Sequence, residues 1–309
     1  MSDPKFSVII PAFNAEKTLR TTVSSVLKQS EPDLEIIIVD DGSTDATLLA
    51  MLEVGCQDLR IRAVSQPNSG VSAARNYGAS LARGQYLAFL DADDQWHDEK
   101  LAEHGKVHTK DIGLDASFAE VAFCAAQTGL LVAGPRASKV DKRDYTLNEV
   151  VVENAVCTTS NLVIRRDVFR QIGGFNVDLR YAEDQEFLAR LIGQGLRLGG
   201  IARPLVRYRM SEDGLSCDFE AMLAGWRTFA CNWLEIDDLV RAEATYCRYL
   251  ARRVLRAGGD MAVARSYVRR GLAAHRPTFM SARSRSLLTI CGAYAGGLMP
   301  TSMRRAVFA

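Results

Sequence analysis

No stretch of this sequence reaches the roughly 18 consecutive apolar residues that a membrane-spanning helix needs, so no spanning helix is expected. The start of the chain, with Asp3 and Lys5 ahead of a strand, has no basic segment followed by a long apolar one, and no secretory leader is expected. No GxxxxGK followed by Ser or Thr trails any strand, and no GxGxxG trails the first. Those absences argue against a P-loop enzyme and a dinucleotide oxidoreductase. None of the seven cysteines stands in CxxC or metal-ligand spacing. They read as buried small apolar residues of a reducing compartment, which makes cytosolic residence the expectation. Lysine is absent from Arg241 onward, where thirteen arginines meet only two acids, Glu243 and Asp260. That tail carries +11 and leaves −10 on residues 1–240 of a chain whose net charge is +1. The polarity suggests an acidic body with a basic tail able to face an anionic surface. The tail is read as lacking interleaved exposed aromatics and has no recognised nucleic-acid-binding module, so no nucleic-acid partner is expected.

What is present is an apolar fraction of 48% over 309 residues, which excludes a disordered chain and allows one large or two modest domains. Phe6 to Ile10 reads as a buried strand that Pro11 helps to end, and Asn14 as the cap of a helix with Leu19, Val23, Val26 and Leu27 on one face. Glu35 to Val39 is the second strand, and Ser43 the cap of a helix bearing Leu48, Met51 and Leu52. Arg60 to Val64 is a third strand. Asn68-Ser69-Gly70 opens a helix with Ala74, Gly78 and Leu81 along one side and Gly84 at its end, and Tyr86 to Leu90 is the fourth strand. Strand and helix alternate, which predicts a largely parallel sheet.

Further strands are expected at Val121 to Ala125, Leu130 to Ala133, Asn161 to Ile164 and Leu205 to Arg209. Asp167 reads as the cap of a short helix and Gly173-Gly174-Phe175 as a tight turn. Glu183-Asp184 opens a helix with Phe187, Leu188, Leu191 and Ile192 on its apolar side and Gly195 at its end. Helices follow near Phe219 to Trp233, Leu239 to Arg256 and Met261 to Ala273, the last capped by Asp260. The latter two form a hairpin superficially like one tetratricopeptide unit. Leu287 to Met299 is short, apolar and flanked by basic residues, fit either to dock on the body or to lie at a membrane surface. The expected division is a body over 1–216 and a helical extension over 217–309.

The two strands richest in apolar residues end in acids: Ile36 to Val39 runs into Asp40-Asp41, and Tyr86 to Leu90 into Asp91-Ala92-Asp93-Asp94. Open α/β sheets bind ligands at such strand ends. Asp91 and Asp93 fall on one side of an extended segment, and paired hard oxygens suit Mg²⁺ or Mn²⁺ bridging to phosphates. The competing reading is a solvated turn in which Asp94 caps a helix carrying Trp96. Asp40 or Asp41 either accepts hydrogen bonds from a base or ribose, or caps the next helix. Arg75 either neutralises a carboxylate in the pocket or grips phosphate, against a surface salt bridge of little energetic value. Glu183 and Asp184 sit in a first helical turn, where unpaired backbone donors favour their ionised forms, whether they act chemically or only cap. His97, His104 and His108 read as solvated helix or loop residues.

The ordered set SVIIPAFNAEKTL, IIIVDDGSTD (36–45), QPNSGVSAARNYG (66–78), YLAFLDADD (86–94), IGGF (172–175) and AEDQEF (182–187) resembles the family 2 glycosyltransferases, over roughly residues 5 to 210. The resemblance implies the GT-A fold: an α/β, Rossmann-like, mixed and mostly parallel sheet flanked by helices, here with an Arg-rich helical C-terminal extension. It implies that Pro11, Ala12 and Phe13 line the nucleotide pocket with Phe13 beside the base, that Asp41 recognises uracil with Asp40 shaping the loop, and that Arg75 supports the base-binding carboxylate. Asp91, followed by Ala92, would lie near the ribose and the metal's waters, and Asp93 would be the direct ligand of Mn²⁺ or Mg²⁺. Asp184 would be the catalytic base, Glu183 would orient sugar hydroxyls, and Gly174 and Phe175 would border the sugar and acceptor.

The activity implied is inverting transfer from a nucleotide sugar, by family habit UDP-linked, to a hydroxyl of a glycan or lipid-linked acceptor in exopolysaccharide, capsule or lipopolysaccharide assembly. Residence would be cytoplasmic, or peripheral at the inner face of the cell membrane through contact of the Arg-rich region with anionic lipid. One departure stands out: many relatives carry a histidine after the last strand's Tyr-Arg, whereas here Tyr208-Arg209 is followed by Met210-Ser211-Glu212. A thioether is a poor ligand for Mg²⁺. The rival readings are a nucleotidyltransferase, which would need a basic glycine-rich phosphate loop near its start, and a noncatalytic nucleotide-sugar-binding module.

Overall fold

The computed structural model describes residues 3–125, 140, 145–210, 218–300, 304 and 307–308. The chain divides into two compact units. One takes in Met1–Ala122, Ala137–Thr146 and Val156–Arg209; the other takes in Phe123–Arg136, Leu147–Ala155 and Met210–Ala309. The expected strand at Leu130 to Ala133 and the stretch Ser211 to Ser216 after Tyr208-Arg209 lie outside the described residues.

The first unit is built on an eight-stranded mixed sheet: β1 (Phe6–Ala12), β2 (Leu34–Asp40), β3 (Ile61–Ser65), β4 (Tyr86–Phe89), β5 (Gln95–Trp96), β6 (Ala116–Ala125), β7 (Val163–Arg165) and β8 (Leu198–Met210), in the order β3-β2-β1-β4-β7-β6-β8-β5. β3, β2, β1 and β4 are parallel; β4 with β7, β7 with β6 and β5 with β8 pair antiparallel. Every residue of β1 and β2 is buried, as expected of central parallel strands covered on both faces. Covering them are α1 (Leu19–Leu27), α2 (Thr47–Gln57) and α3 (Val71–Leu81); α4 (Lys100–Lys110), α6 (Arg166–Ile172) and α7 (Glu183–Gly193) complete the unit. α3 comes close enough to β1 and β2 that a Cβ on Gly78 would lie 2.6 Å from Ile9 Cγ2 and 3.2 Å from Val39 Cγ2. That closeness brings Arg75, one turn earlier, to the sheet's carboxyl edge.

Several local expectations are corrected. Asn14 does not cap α1. It adopts a positive φ of 50° and its Oδ1 accepts from Thr44 N at 2.9 Å, so it ties the loops after β1 and β2 together. Ser43 does not cap α2; its hydroxyl accepts from Asn14 N, and the first turn of α2 is held by Asp45, which accepts from Thr47 N at 2.9 Å. Asp167 lies inside α6 and pairs with Arg165. Trp96 stands on a short strand, not a helix, and Asp94 caps nothing. His104 and His108 are not solvated: they are 0% and 4% exposed. Of the described cysteines only Cys124 and Cys247 are buried, while Cys56, Cys231 and Cys291 are exposed.

The second unit is helical: α5 (Leu147–Val152), α8 (Phe219–Ala230), α9 (Ile236–Ala257), α10 (Met261–Phe279) and α11 (Arg283–Ala295). α9 and α10 form the expected hairpin, with Gly258 at φ 78° ending α9 and Asp260 accepting from Ala262 N at the start of α10. The expected end at Ala273 falls close to a break in α10, where His275 is non-helical two residues before Pro277. Trp226 is the core of this unit: fully buried, stacked on Tyr246 at 4.7 Å and donating from Nε1 to Val151 O at 2.8 Å. α11 packs on α9 and α10 through Ser286, Thr289, Gly292 and Ala293 and leaves Leu287, Leu288 and Tyr294 exposed. Among the described residues, no helix is long and apolar enough to cross a membrane.

Candidate active site

The ends of β1 and β2 are locked by backbone pairing, Asp41 N donating to Ala12 O at 2.8 Å. Asp40 accepts from Ser43 N at 3.1 Å and closes its own turn. Asp41 is 4% exposed, with Oδ1 accepting from Gln66 Nε2 at 2.7 Å and Ser69 N at 2.9 Å, and Oδ2 from Gly70 N at 2.9 Å. It therefore joins β2 to the loop that opens α3. Neither acid caps α2. Phe13, just past Pro11 and Ala12, keeps its ring 51% exposed, an open aromatic face at the strand end.

Asp91 to Asp94 form a turn and not an extended segment, Asp94 N donating to Asp91 O at 3.1 Å. Ser160 organises it from behind: its hydroxyl donates to Asp94 Oδ2 at 2.6 Å and accepts from Asp91 N at 3.0 Å. Arg209 N donates to the other Asp94 oxygen at 2.8 Å, and Thr22 Oγ1 reaches the carbonyls of Ala92 and Asp94 at 2.9 and 2.8 Å. Asp94 is thus a buried structural acid, and Asp91 and Asp93 are the groups left toward the site. Burial, then the charge of Asp91, pushes the Asp93 carboxyl up to about 6. Burial, Asp93 and Asp91 push Asp94 well above its ordinary value, against its bonds from Ser160 and Arg209.

Arg75 is 3% exposed and is no surface salt bridge. Its Nη2 donates to Asp91 Oδ1 at 2.6 Å and its Nη1 to Glu183 Oε1 at 2.9 Å. Its partners are therefore these two acids and not Asp41, whose oxygens the loop before α3 already occupies. Burial opposes the guanidinium charge, but Asp91 and Glu183 outweigh it and hold Arg75 above its ordinary range. The Phe175 ring lies beneath, 5.4 Å from the guanidinium carbon, in a cluster with Phe89, Phe169 and Phe187. Phe175 is 2% exposed and so backs the site rather than forming its open wall.

The turn before Phe175 depends on glycine: Gly173 and Gly174 have φ of 89° and 73°, and a Cβ on Gly174 would meet Asn76 Oδ1 at 2.6 Å. Asn76 clamps it, accepting from Phe175 N at 2.8 Å and donating to Phe175 O at 2.7 Å, while Arg190 donates to Gly174 O at 2.7 Å. Asn76, Gly173 and Gly174 also line a cleft of about 330 Å³ with Ser80, Phe169 and Arg170.

Glu183 and Asp184 occupy the first turn of α7, as expected. At Glu183 burial works against the ionised form that a helix terminus favours. Its burial and the neighbouring charge of Asp184 outweigh Arg75 and raise it to about 7. A helix terminus stabilises charge by a fraction of a kcal/mol up to about 2, less than the desolvation of a buried carboxylate.

Behind the acidic turn runs a buried chain of polar side chains that the sequence did not disclose. Leu114 O can only accept, so His108 Nδ1 donates to it at 3.2 Å; His108 Nε2 then accepts from Ser117 Oγ at 2.9 Å. Ser117 Oγ accepts from His104 Nδ1 at 2.7 Å, and His104 Nε2 from Lys100 Nζ at 2.9 Å. Lys100, 0% exposed, donates onward to Asn161 O at 3.1 Å. The arrangement is satisfied with both imidazoles neutral. Burial accordingly lowers Lys100 and His104 far below their ordinary values and His108 to about 4.

Among the described residues no group of three or more His, Cys, Asp or Glu is placed to hold a metal ion. Asp93, crowded by Asp91 and raised toward neutrality, is a group whose ionised form a cation would restore. Sequence reasoning missed Ser160, Asn76, Thr22 and the Lys100 chain. A single serine, threonine or asparagine carries no period or motif of its own, and only the crossing of distant segments gives it a role.

Three comparisons bear on this geometry. The family model described as Glycosyl transferase family 2 matches residues 7–173. Over 253 residues the chain is 31% identical to the putative teichuronic acid biosynthesis glycosyltransferase TuaG of Bacillus subtilis, covering 79% of this chain and 93% of that protein. It is 32% identical over 222 residues to the amylovoran biosynthesis glycosyltransferase AmsB of Erwinia amylovora, covering 68% and 71%. Among solved structures, S. aureus TarS 1-349 in complex with UDP-GlcNAc aligns with a TM-score of 0.62 at 18% identity, over 91% of this chain and 92% of that one. The mannosyltransferase PcManGT of Pyrobaculum calidifontis, in complex with GDP-Man and Mn2+, aligns with a TM-score of 0.61 at 18% identity, over 99% and 86%. The two structural likenesses speak to the fold, which is that of the GT-A transferases. With a family match across more than half its length and a relative aligned over most of both chains, this chain belongs to glycosyl transferase family 2.

Proposed function

We propose that this chain is an inverting transferase that moves a sugar from a UDP-linked donor to a hydroxyl of a glycan or lipid-linked acceptor in the assembly of a surface polysaccharide. The observation that carries the reading is Arg75. One buried guanidinium ties Asp91, at the end of the strand that would hold the donor, to Glu183, at the head of the helix that would supply the base. The names of TuaG and AmsB support a polysaccharide product, and the UDP and UDP-GlcNAc complexes of TarS support a uridine donor.

In this reading Phe13 stacks on the base, Asp41 and the Pro11 to Phe13 strand end frame it, and Asp91 meets the ribose. Asp93 would hold Mn²⁺ or Mg²⁺, which when bound supplies positive charge for the diphosphate as it departs. The acceptor oxygen attacks the anomeric carbon while the bond from that carbon to the diphosphate oxygen breaks and its electron pair leaves with UDP. The acceptor's proton passes to the Asp184 carboxylate. One displacement inverts the anomeric centre and needs no protein nucleophile. Glu183, fixed by Arg75, orients sugar hydroxyls beside the base. With a lipid-linked acceptor the protein would work at the inner face of the membrane. Arg283 and Arg285, on the helix that exposes Leu287, Leu288 and Tyr294, support such contact.

The test is a panel of UDP-, GDP- and dTDP-sugars assayed for hydrolysis and transfer with and without EDTA, repeated with Asp184→Asn and Asp93→Asn. EDTA-sensitive turnover with UDP-sugars is expected. Asp184→Asn should bind donor normally yet lose about 10²- to 10⁴-fold in transfer, while Asp93→Asn should weaken metal-dependent donor binding. Near-normal transfer by Asp184→Asn would remove the base assignment.

A further inference from the structure

The thirteen arginines of the C-terminal region are not equivalent. Most of those on α9 and α10 are spoken for: Arg270 pairs with Glu243 and Glu220, Arg253 donates to Tyr249 Oη, and Arg256 donates to Phe308 O at 2.9 Å. Arg248, 5% exposed, seals the turn between α10 and α11, donating to Phe279 O at 2.7 Å and reaching Glu153 at 3.5 Å.

Arg252 stands apart. Its Nη1 is buried and has no hydrogen-bond partner, and its recorded contact is with the face of Phe308, 5.8 Å from guanidinium carbon to ring centroid. Spacing places it between Arg248 and Arg256 on one ridge of α9, one turn from each. Arg285, exposed on the first turn of α11, adds a fourth cation to the group. Burial, then the charges of Arg256, Arg285 and Arg248, depresses Arg252 to about 10, and Glu153 opposes them. A buried guanidinium nitrogen without a partner is costly, and a guanidinium offers planar paired donors suited to an oxyanion. Arg248, Arg252, Arg256 and Arg285 gather four cations near the half-exposed Glu153, a setting whose charge a dianion suits.

We infer that the helical unit carries an oxyanion site centred on Arg252, flanked by Arg248, Arg256 and Arg285, that takes a phosphate or diphosphate group. All the residues belong to this unit, and the inference does not depend on the transfer chemistry. The phosphate can belong to a free anion or to a lipid headgroup, and the experiment separates the two.

Hydrogen exchange of the full-length protein is measured with inorganic pyrophosphate, with vesicles of phosphatidylglycerol in phosphatidylcholine, and with pure phosphatidylcholine vesicles. The readout is the amides of α9 and α11, so that pyrophosphate held elsewhere is not counted. Slowed exchange with pyrophosphate identifies a free-phosphate site; slowed exchange only with the anionic vesicles identifies a headgroup site. Arg252→Met should abolish either response while melting no lower than wild type without anion, because it removes a buried unpartnered nitrogen and keeps an apolar stem. Arg285→Glu, at an exposed position, should weaken the response at least tenfold without disturbing the core. No protection by either anion, or protection unchanged in both variants, would overturn the site.

Discussion

At the scale of single residues, the site is governed by how buried charges are paired. Arg75 is held charged by two carboxylates, Asp91 and Glu183, yet Glu183 is itself pushed up to about 7 because burial and Asp184 outweigh the one cation. The sign for activity follows. As pH falls through about 7, Glu183 gains a proton and its ion pair with Arg75 is lost, so kcat/KM should fall through that pH and level off above it. In Glu183→Gln this titration is gone, and the acid limb should move to lower pH; a limb that stays in place would assign the ionisation to another group. The acids at the strand ends were legible in the sequence because Asp clusters after apolar runs have a recognisable form. The partner of Arg75 was not. Which carboxylate a guanidinium reaches depends on where α3 lies against the sheet, and sequence spacing does not encode that distance.

At the scale of elements, α3 shows how a small residue positions a large one. Alanine at position 78 would gain about 0.8–1 kcal/mol of helix propensity over glycine. Its Cβ, however, would stand 2.6 Å from Ile9 Cγ2 on a strand that is buried throughout, and overpacking of that kind typically costs about 1–3 kcal/mol. The clash wins. Gly78→Val is expected to lower stability by at least about 1–3 kcal/mol in denaturant titration and to displace Arg75 enough to raise KM for the donor. A variant as stable as wild type would show that α3 can move away without loss. The strand and helix order of the first half was readable from apolar runs and glycine breaks. Helix caps were read wrongly at Asn14 and Ser43, because the hydrogen bonds of those side chains go to a neighbouring loop and not to their own helix.

At the scale of the whole molecule, buried titratable groups set opposing pH dependences. Asp93, Asp94 and Glu183 are raised, so each binds its proton more readily folded than unfolded and adds stability as pH falls through its value. His108 does the reverse. Burial lowers it to about 4, so between pH 6.5 and 4 the unfolded chain takes up a proton that the folded chain refuses, and stability drops as pH falls. His108→Gln is expected to be less stable than wild type at pH 7, with the gap narrowing toward pH 4 by up to about 1.4 kcal/mol per pH unit. Denaturant titrations at several pH values measure it, and parallel curves for the two proteins would show that His108 titrates normally. This chain of groups was not legible in the sequence, since His104 and His108 sit among charged residues that mark a solvated helix.

The sequence by itself determined the alternation of strand and helix, the acid-rich strand ends, the glycine turn at 173–174 and the family these motifs spell out. Each of these is written in short contiguous runs, where local periodicity and backbone preference act directly. Tertiary structure alone decided that Arg75 serves Asp91 and Glu183, that Ser160 and Asn76 hold the acidic turn and the glycine turn, and that one nitrogen of Arg252 is left buried without a partner. Those outcomes join residues between 16 and 108 positions apart or depend on burial. Desolvation and pairing are properties of the packed chain and not of any segment of it.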